Sequence, residues 1–248
     1  MIIAAAQFTS EPGSVEANAG RMAAYVREAA GHGARITTFA ELALTGYELE
    51  LLTKDPPLLV TPDDPRLEPI RAACRETSTA AVVNCAASPS NSADCPSGNL
   101  PTITSFVFGQ DGGLLTRYDK QHLYEAEGEI FSPGTGDGRF ELDGVRFALA
   151  TCFDNHFPEL AERAAADKCQ IYLASSLYWK GNGERERTAV YPSLAKDHGL
   201  YVALANHVGR SGPYDGCGLS AVWAPDGTTM AEAAPDRPGS ALADVLTR

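Results

Sequence analysis

Leu149-Ala-Thr-Cys152-Phe-Asp-Asn-His-Phe-Pro-Glu159 is the stretch on which the reading of this chain turns. It continues the apolar run Val145–Ala150, which has the composition of a buried strand. Pro158 then suits the first turn of a helix over Phe157–Ala166, where a missing N–H costs no intrahelical bond. A strand that runs through a cysteine into a helix is one β–α unit of an α/β fold. It would also set the thiol among free backbone N–H groups at a positive dipole end, which lowers a thiol pKa. Buried cysteines are usually inert packing groups, so this feature alone does not decide the chemistry.

Outward from this unit the alternation continues in both directions. Toward the N-terminus, Ile2–Phe8, Arg35–Phe39 and Ala80–Ala86 read as strands, with helices predicted over Ser14–Ala30 and Pro65–Thr77. Ile103–Phe108 and Leu114–Tyr118 flank Gln110-Asp-Gly-Gly113, a hairpin signal. Toward the C-terminus, strands Ile171–Ala174 and Tyr201–Ala205 bracket a helix from Glu184 to His198. A second hairpin joins Leu219–Trp223 to Thr229–Ala233 around Ala224-Pro-Asp-Gly227. Hairpins mixed with βα units predict one α/β domain over residues 1–248, not a purely parallel doubly wound sheet. Ala86–Pro101, rich in Ser, Asn and Pro, reads as a surface loop.

Composition narrows the function classes. Of the 248 residues 44% are hydrophobic and 21% charged, enough for a sizeable core. A formal net charge of −12 argues against a nucleic-acid partner, which calls for a basic face. The opening Met-Ile-Ile-Ala-Ala-Ala-Gln lacks the basic flank and length of a signal peptide, and no window reaches a membrane span. A cytoplasmic protein with no membrane partner is expected. Cys74, Cys85, Cys95, Cys152, Cys169 and Cys217 show no CxxC spacing, so neither a disulfide framework nor a zinc site is expected.

Two further segments carry reactive side chains just past a strand. Thr38-Phe-Ala-Glu41-Leu-Ala-Leu-Thr-Gly-Tyr47 sets a carboxylate there, a position where most glutamates are merely solvated. Tyr118-Asp-Lys120-Gln-His-Leu-Tyr-Glu-Ala-Glu127-Gly-Glu-Ile-Phe-Ser-Pro-Gly134 does the same with a lysine and a run of acids, which alone reads as a charged turn. Taken together, Glu41, Lys120 and Cys152 in this order and spacing resemble the nitrilase superfamily of carbon–nitrogen hydrolases, on its amidase-like branch. Leu-Thr-Gly-Tyr after Glu41, Phe-Ser-Pro-Gly before Gly136 and Cys-Phe-Asp-x-x-Phe-Pro-Glu around Cys152 carry the likeness. Ala205-Asn-His-Val-Gly209 and Trp223-Ala-Pro-Asp-Gly227 extend it over nearly the whole chain.

The resemblance implies a four-layer αββα sandwich whose copies pair through helices into eight layers. It implies Cys152 as nucleophile, Glu41 as general base, Lys120 as oxyanion stabiliser and Glu127 as the second glutamate, with Glu125 and Glu129 as neighbouring rivals for that role. It implies no metal and no organic cofactor, a small-molecule amide substrate and a homodimer or higher homo-oligomer. Those residue types fit the chemistry: a glutamate moves the thiol proton, a thiolate attacks the amide carbon, and a cation holds the oxyanion until a thioester forms. The lysine cation should favour both anions.

Departures from the family pattern qualify the reading. Ala40 stands where many members have proline, and His156 where many amidases have arginine. Cys-Phe-Asp-Asn in place of Cys-Trp-Glu-Asn favours amides over nitriles. From its length the chain is expected to lie outside the synthetase-fused and membrane-bound branches and to lack the swapped C-terminal extension. Other outcomes are a hydrolase of N-carbamoyl amines or amino acids, a nitrilase, a Cys–His hydrolase using His122 or His156, and a non-catalytic scaffold. His122 and His207 read as structural histidines. Pocket residues are expected from Glu48–Pro57 and Tyr178–Arg185. A dimer would use Phe157–Ala166, through Leu160, Ala161, Ala164 and Ala165, or Glu184–His198.

Overall fold

Two six-stranded sheets lie face to face, and helices cover the outer surface of each. This is the four-layer αββα sandwich expected from the resemblance. The computed structural model describes residues 1–89 and 100–245. Most of the expected loop Ala86–Pro101, with Cys95, lies outside them.

The first half of the chain supplies β1 (Ile2–Gln7), α1 (Val15–Gly31), β2 (Ala34–Thr38), α2 (Leu49–Lys54), α3 (Glu68–Thr77), β3 (Ala80–Ala87), β4 (Thr102–Phe108) and β5 (Leu114–Asp119). The second half supplies β6 (Gly138–Leu142), β7 (Val145–Thr151), α4 (Pro158–Ala166), β8 (Ile171–Ser176), α5 (Asn182–His198) and β9 (Tyr201–Asn206). It closes with β10 (Val208–Ser211), β11 (Tyr214–Cys217), β12 (Ala221–Trp223), β13 (Thr229–Glu232) and β14 (Gly239–Asp244).

One sheet runs β14-β1-β2-β3-β4-β5 and the other β13-β12-β9-β8-β7-β6. Each has three parallel strands at its centre, β1-β2-β3 and β7-β8-β9, with antiparallel strands added on both sides. Parallel strands are covered on both faces, which is why β3 and β8 read as unbroken runs and are buried throughout. α1 and α3 cover the first sheet; α4 and α5 cover the second. Between the sheets Ile3, Ile36, Val82 and Val107 join Phe147, Leu149 and Leu173 in one core.

The α4 surface proposed for a dimer has another use. Leu160, Ala161 and Ala164 are buried within the chain, in the core shared with β7 and β8. The small apolar residues let α4 settle on its own sheet. Those three side chains are therefore not free to form a dimer face. Among the described residues no helix is long and apolar enough to cross a membrane, and Cys74, Cys85, Cys152, Cys169 and Cys217 are free thiols.

Candidate active site

The carboxyl ends of β2, β5 and β7 converge where an open α/β sheet generally offers a crevice. Glu41 lies three residues past the end of β2, Lys120 directly follows β5 and Cys152 directly follows β7. Lys120 Nζ donates to Glu41 Oε1 at 2.7 Å and to Glu127 Oε2 and Oε1 at 2.7 and 3.0 Å. All three side chains are shut off from solvent. Glu127 is itself held twice more: the Tyr47 hydroxyl donates to Oε1 at 2.5 Å, and the Tyr124 backbone N–H donates to Oε2 at 2.7 Å. Thus Glu41, Lys120 and Glu127 form one network, Cys152 lines the same cleft as Glu41 and Glu127, and Glu125 and Glu129 do not enter the network.

Local backbone features set these positions. Gly134 of the Phe-Ser-Pro-Gly motif lets its segment pass the strand that carries Lys120: a Cβ there would sit 2.1 Å from the Asp119 carbonyl oxygen. The Gly134 N–H donates to the Lys120 carbonyl at 2.8 Å. Asn84, pointing inward from β3, accepts the Leu42 N–H at 2.7 Å and donates to Thr151 Oγ1 at 3.2 Å. It thereby ties the glutamate loop to the strand before the cysteine. Leu42, Glu125 and Cys152 all have positive φ, at 49°, 42° and 44°. Such strain in non-glycine residues is typical of functional sites, where surrounding contacts enforce it.

Cys152 opens a short 3-10 turn, Cys152–His156, and α4 begins only at Pro158. The thiol is therefore not at the helix N-terminus, as the sequence had suggested. Its thiol, on a half-buried residue, donates to the Leu177 carbonyl at 3.8 Å. Burial pushes the thiol pKa well up, the Glu41 charge adds to this, and Lys120 offsets only part. The expected lowering is thus overturned: loss of water outweighs the lysine. Glu41 is likewise raised by burial, to about 7, although Lys120 pulls it down. Lys120 stays firmly protonated, because its anionic neighbours outweigh its own burial. A neutral thiol near a carboxylate that titrates near neutrality can exchange a proton with it.

Glu41 Oε2 is buried and has no hydrogen-bond partner among the described residues. The Cys152 thiol still acts on its acidity. Above them opens a cleft of about 190 Å³, smaller than the roughly 300–1,000 Å³ of sites for drug-sized ligands. Tyr124, Phe153, Trp179 and Tyr214 form much of its wall. Tyr178 and Trp179 come from the expected segment Tyr178–Arg185, held by Asn206, whose Oδ1 accepts the Tyr178 N–H at 2.7 Å. The other expected segment, Glu48–Pro57, gives no wall residue; Leu52, Thr53 and Pro56 border a separate groove.

The histidines sort themselves by contact. His122 stacks on Phe157 at 3.6 Å, and His156 pairs with Glu186 at 3.1 Å. His207 is buried, with Nε2 against the Glu41 carbonyl oxygen, and burial lowers its pKa to about 4. Among the described residues neither His122 nor His156 has a hydrogen bond to Cys152. Tyr47, Asp154 and Tyr214 escaped the sequence reading; Tyr47 closes the quoted Leu-Thr-Gly-Tyr motif, and that was its only signal. Among the described residues no cluster of three His, Cys, Asp or Glu side chains could hold a metal.

Comparison with known proteins agrees with this fold. An amidase of the nitrilase superfamily from Nesterenkonia AN1 superposes with a TM-score of 0.86 at 25% identity, covering 99% of this chain and 92% of that one. A cysteine-to-alanine mutant of the Nesterenkonia sp. AN1 amidase, in complex with butyramide, superposes at 0.87, again at 25% identity, over 99% and 90%. The human omega-amidase NIT2 is 31% identical over 140 residues, a stretch spanning about half of this chain (52%) and about half of that relative (51%). A hydrolase in the pqqF 5′ region of Pseudomonas protegens is 28% identical over 95% of this chain and 80% of its own length. Residues 2–246 match the carbon–nitrogen hydrolase family, and the chain belongs to that family.

Proposed function

We propose that this chain hydrolyses the carbon–nitrogen bond of a small linear amide through a thioester on Cys152. The observation that carries the reading is the buried Glu41–Lys120–Glu127 network beneath a thiol that opens on a small cleft. The Cys152 proton passes to the unpartnered Oε2 of Glu41 as sulfur bonds to the amide carbon. Lys120 and the Phe153 backbone N–H hold the oxyanion that forms. Glu41 returns the proton to the amine, the carbon–nitrogen bond breaks and ammonia or an amine leaves. Glu41 then takes a proton from water, hydroxide attacks the thioester, and the acid departs as Cys152 regains its proton. Glu127 acts through Lys120, fixing the ammonium between two carboxylates.

Ammonia release from simple amides, ω-amido acids, N-carbamoyl amines and nitriles tests the reading, with intact-mass analysis for an acyl group on Cys152. Amides should react faster than matched nitriles. No product and no adduct with any of them would remove the reading. A cytoplasmic homo-oligomer belongs to the same proposal, with a sedimentation mass of at least twice 26.3 kDa.

A further inference from the structure

We infer that the cleft favours amides whose far end is cationic or uncharged over those ending in a carboxylate, with Glu186 and the aromatic walls as the selecting groups. The inference rests on the proposed amide hydrolysis at Cys152.

Tyr124 stands 5.3 Å from Phe153 and 6.5 Å from Trp179 between ring centroids, and Trp179 stacks on Tyr214 at 4.7 Å. These rings make a wall on one side of the thiol, and aromatic faces attract cations and repel anions. No arginine or lysine lines the cleft among the described residues. Lys120 lies beneath it with its charge already shared by two carboxylates. Nearby Lys180 is bound to Asp215 at 2.7 Å.

What the rim does offer is Glu186, on α5. Its carboxylate is 41% exposed and meets His156 through one oxygen, Oε1, at 3.1 Å. Glu125 adds a second acid beside the Tyr124 ring: it raises that phenol's pKa, with a smaller push from Glu186. An entering carboxylate would lose water against π faces and like charge, with no arginine or lysine in the lining to replace it. An entering ammonium would gain both the rings and a charge-assisted bond to Glu186.

The test uses three amides with the same five-carbon acyl chain: 5-aminopentanamide, pentanamide and the monoamide of glutaric acid. Turnover of each at pH 8 is compared with its calorimetric affinity for Cys152→Ala. The glutaric monoamide should be at least about tenfold poorer than pentanamide in kcat/KM and in affinity. 5-Aminopentanamide should equal or exceed pentanamide. Glu186→Gln should narrow the gap between the two charged amides, and Glu186→Lys should reverse their order. An anion handled as well as the neutral amide, a charge order unmoved in both variants, or no binding by any of the three would overturn the inference. Absent turnover with cation-first binding to Cys152→Ala would instead remove the catalytic reading and leave the selectivity standing.

Discussion

Asp154 accepts the backbone N–H of His122 at 2.8 Å, a bond that helps tie the turn that begins at Cys152 to the loop that begins at Lys120. The same carboxylate accepts the Gln121 N–H at 3.2 Å, the Thr151 N–H at 2.9 Å and the Tyr118 hydroxyl at 2.6 Å. Nucleophile and lysine come from strands of different sheets, so nothing in either sheet's ladder fixes their separation. A buried acceptor with four donors does.

Asp154→Asn should therefore loosen both fold and site. The amide keeps one acceptor oxygen and turns an N–H₂ toward donors that now lack a partner. The expected cost is about 1.5–3 kcal/mol, the scale of hydrogen bonds to a charged group. Urea denaturation should show it, with a fall in kcat alongside. An unchanged midpoint would mean that the two loops are held in place by other contacts.

Lys120 presents a different balance. Lys120→Met leaves Glu41 and Glu127 buried without a cation, which should cost about 3–5 kcal/mol. Adding Glu41→Gln and Glu127→Gln removes the stranded charges. The triple variant should regain most of the lost stability and none of the activity. Denaturant melts of the single and triple variants decide the matter: equal losses would show that the lysine stabilises through packing and not through charge.

At Cys152 the backbone itself is testable. A φ of 44° costs a side-chain-bearing residue about 1–2 kcal/mol, whereas glycine adopts it freely and loses about 0.5–1 kcal/mol in chain entropy. Cys152→Ala and Cys152→Gly should both be inactive, with the glycine variant at least as stable in thermal melts. A clearly less stable glycine variant would mean that the turn is unstrained.

Much of this was legible because the central strands are buried on both faces. β3, β7, β8 and β9 announce themselves as apolar runs, and the reactive residues follow β2, β5 and β7 within three positions. β6 was missed because Gly138-Arg-Phe-Glu-Leu142 is a short alternating edge strand with little apolar weight. β14 was missed because its pairing partner, β1, lies at the other end of the chain. The hairpin of β10 and β11, which carries Tyr214, is rich in Gly and polar residues. Asp154 sits inside the quoted cysteine motif, yet its role depends on partners more than thirty residues upstream. Thiol acidity was misjudged for a related reason: sequence shows the neighbouring charges, whereas burial, the larger cause, is a property of the fold.

The raised Glu41 pKa makes a prediction in two opposite directions over one pH window. As the base, Glu41 must be ionised, so kcat/KM should climb as pH rises through about 7. The limb belongs to the coupled cluster of Glu41, Lys120, Glu127 and Cys152 and not to one group alone. His207 cannot supply it, since burial holds its pKa near 4 and leaves it neutral across the range. His156→Gln should retain the limb, which separates it from an imidazole at the rim. Stability runs the other way. A carboxyl whose pKa is raised from 4.5 to about 7 on folding binds its proton more tightly in the native state. That contribution is fully present below pH 4.5 and is lost as pH rises through 7. Urea midpoints measured at pH 5 and pH 8 should therefore differ less in Glu41→Gln than in the parent, whose stability falls over the interval in which its activity rises. A parent whose activity is flat between pH 5 and 8, or a Glu41→Gln variant with the parent's pH-dependent midpoints, would show that Glu41 does not titrate in this window.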